Sequence, residues 1–143
     1  MNGRQTRHSS MFLLELMIAI LFFCLAATVC IRLIVKSHII SQKTQNLNMA
    51  LNQVTTAAEI FKSETDVEEY FKNEFPQCKE NKDGFAVYYN EKWEACKKKD
   101  ARFQLSIEIT QKAKKAEGYF SMKDIETNQE IYDISLDKFI WEE

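Results

Sequence analysis

Leu16–Ile31 reads LMIAILFFCLAATVCI, a run with no charge, no Gly and no Pro. Met11–Leu14 on one side and Leu33–Val35 on the other extend it to about 25 residues, broken only by Glu15 and Arg32. About 20 apolar residues cross the hydrocarbon core of a bilayer as helix, so this stretch is long enough to span with some tilt. Ahead of it, residues 1–10 read MNGRQTRHSS, polar, basic through Arg4 and Arg7, and free of acid. That head favours a cytoplasmic N-terminus, although Arg32, Lys36 and Lys43 on the far side blunt the asymmetry.

The rest of the chain is polar enough to bring the mean hydropathy to -0.35. A length of 143 residues leaves room for one domain plus an appendage. The 19 Lys+Arg nearly balance 21 Asp+Glu, giving a formal charge of -2, which excludes a surface uniformly attractive to nucleic acid. With 3 Gly and 1 Pro, collagen-like, Gly-rich and Pro-rich linker readings are excluded. The two histidines, His8 and His38, both flank the apolar run. A histidine-dependent metal centre or triad therefore has almost nothing to be built from.

Three other readings stand beside a membrane helix with a dedicated role. A secretory signal peptide would place its apolar core from Leu16 to about Ala27, but Ala26 and Thr28 make a poor cleavage pattern. A lipid anchor through Cys24 or Cys30 is opposed by Phe22-Phe23 and Thr28-Val29, where small residues are needed. A plain single-pass anchor leaves Glu15 as a nuisance near the membrane boundary. A carboxylate in an apolar helix costs several kcal/mol unless it is paired or reaches the interface. Glu15 is thus either a functional charge awaiting a partner or a side chain that snorkels to the headgroups.

Ser10-Met11-Phe12-Leu13-Leu14-Glu15-Leu16-Met17, behind a short basic leader, resembles the processing site of type IV pilins and pseudopilins. In that family the leader is cut on the cytoplasmic side, and the apolar stretch stays on the mature protein with a glutamate as its fifth residue. The resemblance implies cleavage between Ser10 and Met11, methylation of the new Met11 amine, and Glu15 in the fifth place. It also implies a partner for Glu15, the N-terminal amine of a neighbouring subunit in a filament core. Opposite charges attract strongly in such a low-dielectric bundle and each is costly alone, so the pair would set register more than add net stability.

The chain departs from the common pattern in several places. Ser10 stands where Gly is usual, Met11 where Phe is usual, and Phe12 where Ser or Thr often follows. No helix-kinking Pro is present, and Arg32 occupies about that depth. The missing Pro and the short polar part point to a minor rather than a major member, and the later half resembles small Gram-positive pseudopilins.

Past the membrane segment the pattern becomes striped. Ile40, Leu47, Leu51, Val54, Ala58 and Phe61 recur at helical spacing, opposite Gln42, Lys43, Asn46, Asn48, Asn52 and Gln53. One helix is expected from Met11 to about Lys62. Thr65 with Glu68 reads as a capping box for a shorter helix that Pro76 stops. Strands are expected over Phe85–Tyr89, from Phe103 to Ile109, from Glu117-Gly118 to Met122, and over Ile131–Leu136. Asn90-Glu91-Lys92 reads as a turn into Trp93, and Glu126–Gln129 as the turn of a hairpin. The expected fold is α+β: a long N-terminal helix packed on an antiparallel sheet of about four strands.

From Pro76 onward only ~70 residues remain, a size at which an isolated core is marginal. Cys78 and Cys96 are the cysteines outside the membrane segment. Bridged, they would close a loop of about 19 residues, stabilise by roughly 3 kcal/mol, and place the domain outside the cytoplasm. The spacing does not by itself prove the bridge, and two free buried thiols are the alternative. Cys24 and Cys30 are six residues apart on the helix, face different directions, and read as small apolar fillers.

No catalytic constellation, zinc spacing or phosphate-binding loop is present in the sequence, so neither an enzyme, a metal site nor a cofactor is expected. Two basic clusters remain: Lys97, Lys98 and Lys99 with Arg102, and Lys112 with Lys114 and Lys115. In loops beside strands they fit phosphates of DNA or an acidic wall polymer. They fit better as solvated lysines that discourage strand-edge pairing. Losing the two cations Arg4 and Arg7 with a leader would move the formal charge from -2 to -4, which weakens the nucleic-acid case further.

The resemblance thus divides the chain into a leader (1–10), a transmembrane and filament-core helix (11–35), an amphipathic continuation with a second helix (36–75) and an extracellular β domain (76–143). It implies a prepilin peptidase and methyltransferase, an assembly platform, sister pilins and the lipid bilayer as partners. The rival expectation is a single-pass, membrane-anchored extracellular binding protein with no filament role.

Overall fold

The computed structural model describes residues 3–63, 66–82, 84–112 and 114–139. The order of elements is α1 (Gly3–Ser63), α2 (Val67–Glu74), β1 (Lys79–Asn81), β2 (Gly84–Tyr89), a one-turn 3-10 helix (Lys98–Asp100), β3 (Phe103–Lys112), β4 (Lys115–Asp124) and β5 (Gln129–Phe139). The chain is α+β. It divides into two units, Met1–Lys43 and Thr44–Glu143.

The long helix follows from what the sequence lacks. Between Gly3 and Pro76 there is neither Gly nor Pro, so nothing interrupts the backbone ladder. Its last turn carries Lys62, whose charge suits the negative end of the helix dipole. The short α2 begins one residue later than the Thr65 capping box predicts. Asp66 is the cap, accepting the Glu69 N–H at 3.4 Å, while Thr65 lies outside the described residues. Phe75 ends α2 one residue before Pro76, as the restriction on pre-proline residues requires.

In the second unit the strands form one antiparallel sheet in the order β1-β2-β3-β4-β5, each hydrogen-bonded to the next along the chain. The sheet has five strands rather than about four. The extra one, β1, is three exposed polar residues that carry no alternation for a sequence to display. Register aligns the apolar positions in rows: Leu105 lies opposite Val87 and Met122, and Ile107 opposite Phe85 and Phe120. These rows, with Phe103, pack against Ala50, Val54, Ala57, Ala58 and Phe61 of α1 and against Phe71 and Phe75 of α2 or its cap.

The packing face of α1 is rotated from the expected stripe. Val54, Ala58 and Phe61 are buried as predicted, but Ile40, Leu47 and Leu51 are exposed, and Ala50 and Ala57 take their place. Small side chains there let the helix approach the sheet closely. At Gly118 the same closeness leaves no room for a side chain: a Cβ would stand 2.8 Å from the Phe120 ring and 3.1 Å from that of Phe61. Those two rings meet edge-on at 5.7 Å.

Candidate functional site

The sequence points to the exposed helix first. Every side chain from Ser9 to Gln45 is exposed, including Phe12, Phe22, Phe23 and the leucines and isoleucines between them. This helix is long and apolar enough to cross a membrane. A helix that is apolar all round has no solvent-facing side and belongs inside a larger apolar body, lipid or protein.

Ser10, Met11 and Glu15 all lie on this helix and are exposed. Met11 and Glu15 are four residues apart, one turn, so they share a face. The helix begins at Gly3 rather than at Met11, so the Ser10–Met11 bond is helical. Glu15 and Arg32 carry no ion pair among the described residues. Beyond the apolar run, Arg32, Lys36 and Lys43 line one side of the helix with Ile31, Val35, Ile39 and Ile40 between them. Gln42 Nε2 lies 3.3 Å from His38 Nε2 on the same segment.

The outer cysteines do not form the expected bridge, because Cys78 and Cys96 are both free thiols. Cys78 precedes β1, whose Lys79 pairs with Ala86, while the Cys96 N–H donates to the Tyr88 carbonyl at 2.8 Å. The two thus sit end to end along one edge of β2. Cys78 packs against the core and Cys96 does not. Partial burial pushes both thiols above their ordinary value, which keeps them protonated and unreactive near neutrality.

The two basic clusters differ. Lys97, Lys98 and Lys99 are exposed around the 3-10 turn and carry no ion pair among the described residues. Arg102 does not belong with them. It lies over the Phe103 ring, 3.2 Å from Glu91, 3.5 Å from Glu126 and 3.8 Å from the buried Asp124. Asp124 in turn accepts the N–H groups of Glu126 and Thr127, at 2.9 and 3.2 Å, and so shapes the β4–β5 turn. Lys112 and Lys115 are neutralised too: both reach Glu117, and Lys115 also reaches Asp137 at 2.8 Å. They sit at paired strand ends rather than in a loop, with Lys114 at the tight turn between them.

Sequence reasoning missed the polar anchors of the sheet. Tyr89 donates its hydroxyl to Gln53 of α1 at 2.9 Å, and Trp93 donates its indole N–H to Asn46 at 3.2 Å. Burial pushes the Tyr89 phenol far up, so it stays a donor. Trp93 is held in the left-handed region at φ 63, stacked on Phe103 at 4.1 Å. Asn90 stabilises that turn by accepting from the N–H groups of Lys92 and Glu94. Asn46 and Gln53 sat on the polar side of the expected stripe, and only the rotation of the helix brings them to the sheet.

A broad cleft of about 1160 Å³ opens where α2 faces the ends of β1 and β3, with Asp66, Glu68, Glu80 and Glu108 against Lys82 and Lys138. No three metal-capable side chains converge among the described residues. No family model, curated protein or solved structure matches the chain.

Proposed function

We propose that this chain is a structural subunit, a minor pilin or pseudopilin, of a type IV pilus or of a secretion or competence pseudopilus. A prepilin peptidase removes residues 1–10, and the amine of Met11 is methylated. The helix holds the subunit in the bilayer, N-terminus inside and sheet domain outside, and later packs among sister subunits drawn up by an assembly platform. Glu15 supplies the charge that this packing satisfies. One observation carries the reading: the Ser10-Met11 to Glu15 segment lies on a helix whose every side chain from Ser9 to Gln45 is exposed. Such a surface finds its partners first in lipid and then in other copies.

Mass spectrometry of the mature N-terminus from native cells tests this. A chain beginning at a methylated Met11 is the expected result. An intact Met1 would favour the plain single-pass binding protein, and a start near residue 28 would sink both. Glu15→Ala separates the first two further: it stops a pilin from assembling while leaving it in the membrane, and hardly changes an anchored receptor.

A further inference from the structure

Arg32, Lys36, Ile39 and Lys43 are four, three and four residues apart along α1. At 3.6 residues per turn that spacing sets them within about 60° of one another around the axis. All are exposed, and the three cations carry no ion pair among the described residues. No Asp or Glu occurs between Glu15 and Glu59, so nothing on this stretch neutralises them. Into the apolar run the same side continues with the exposed Leu25 and Leu21.

We propose that this side of α1 seats an anionic phospholipid of the leaflet at the C-terminal end of the apolar run. Its phosphate rests on Arg32 and Lys36, and an acyl chain lies along Leu25 and Leu21. The site rests on the membrane-resident part of the reading above and does not need the filament.

Position decides for a lipid. Arg32 stands inside the apolar run, between Ile31 and Leu33 and ahead of Val35. An anion that pairs with it must sit at the border of the hydrocarbon, where a soluble polyanion would have to shed its hydration. A phospholipid carries its phosphate at that border already. Arg32 and Lys36 are ~6 Å apart along the axis, and the headgroup layer of one leaflet is ~5–7 Å deep, so both reach the same phosphates. The guanidinium fork suits two phosphate oxygens, and the ammonium adds a point charge. Lys43 lies ~10 Å beyond Lys36 on the aqueous side, about one Debye length away, and attracts without touching. Ile39 gives the lysine stems an apolar surface to lie on. The contributions therefore fall in the order Arg32, Lys36, Lys43. Because the cations occupy one side only, a bound lipid fixes the rotation of the helix as well as its depth.

The test uses the full chain reconstituted in phosphatidylcholine vesicles with a trace of spin-labelled phosphatidylglycerol or spin-labelled phosphatidylcholine. Electron paramagnetic resonance reads the fraction of label immobilised at the helix. A preference of about fivefold for phosphatidylglycerol is expected, the factor that one basic residue near a membrane surface contributes. Arg32→Gln should remove most of it, Lys36→Gln less and Lys43→Gln least, while Lys36→Arg with Lys43→Arg should keep it. Lys97→Gln, Lys98→Gln and Lys99→Gln together remove as much charge from the sheet domain and should leave the preference unchanged. A preference that survives Arg32→Gln with Lys36→Gln, or that falls with the 97–99 variant instead, would overturn the site. So would loss of the preference to inorganic phosphate or duplex DNA beyond the loss caused by sodium chloride of equal ionic strength, since the ligand would then be a soluble anion. Flotation with the vesicles separates the two readings. A chain that floats but shows no preference loses the lipid site and keeps the membrane helix, whereas a chain that does not float loses both.

Discussion

Phe23 and Phe120 are the same side chain in two different situations. Phe23, on α1, is 76% exposed and Phe120, on β4, is 0% exposed. The contrast extends to the two parts of α1 itself. From Thr44 onward the helix presents Ala50, Val54, Ala57, Ala58 and Phe61 to a sheet of its own chain, and its remaining faces are largely polar. From Ser9 to Val35 it is mostly apolar, broken by Glu15 and Arg32, and every side chain is exposed. Fold stability and whatever the exposed helix does are therefore carried by different residues, and substitutions can address them one at a time.

The largest effect should come from Phe120→Ala. Emptying a fully buried aromatic site costs about 3–5 kcal/mol, and Phe61, its edge-on neighbour, loses a ring contact as well. Phe23→Ala should change the stability of the sheet domain by less than ~0.5 kcal/mol. Urea unfolding of the detergent-solubilised full chain, followed by tryptophan fluorescence, measures both. Comparable losses for the two variants would break the comparison, because the exposed helix would then be supporting the domain.

A smaller effect tests how the sheet is tied to the Thr44–Ser63 part of the helix. Trp93→Phe keeps a ring over Phe103 but removes the indole N–H that Asn46 accepts, at a cost of about 1 kcal/mol. Asn46→Ala should cost about the same, and the double variant little more than either single one. Trp93→Ala loses the stack too and should cost about 3 kcal/mol. Additive single effects would mean that the hydrogen bond contributes nothing and that Trp93 acts by stacking alone.

How much of this was legible beforehand depends on whether a residue's own neighbours in sequence decide its place. The uninterrupted helix was legible because it needs only the absence of Gly and Pro, and the longer strands because Phe103, Leu105 and Ile107 alternate. The rotation of the helix was not. It depends on small Ala50 and Ala57 permitting a close approach, which a hydrophobic stripe scored by bulk passes over in favour of Leu47 and Leu51. β1 was not legible either, since Lys79-Glu80-Asn81 is a strand only because β2 offers it an edge. Arg102 reads as one more cation beside Lys97–Lys99, and only the β4–β5 turn brings Asp124 and Glu126 to it. The exposed helix was fully readable as a surface, because its chemistry is local.

The smallest effect separates the two basic clusters by pH. Hydrogen bonds from Lys112 and then Lys115 hold the Glu117 carboxyl below its usual 4.5. A carboxyl with a depressed value contributes stability that is present above its unfolded value and lost as pH falls through the folded one. Hydrogen bonds to Asp137 and Glu117 raise Lys115 above 10.5, and that contribution is present below 10.5 and lost as pH rises through the raised value. Glu117→Gln should therefore be slightly less stable than the unaltered chain between these limits, and the difference should shrink towards zero as acid protonates Glu117. Because these groups are at the surface, added salt should shrink it as well. Lys98→Gln should leave the acid limb of the stability profile unmoved, since Lys98 has no acidic partner among the described residues. An acid limb that moved with Lys98→Gln but not with Glu117→Gln would reverse the assignment, making the 97–99 turn the paired cluster and the β3–β4 turn the free one.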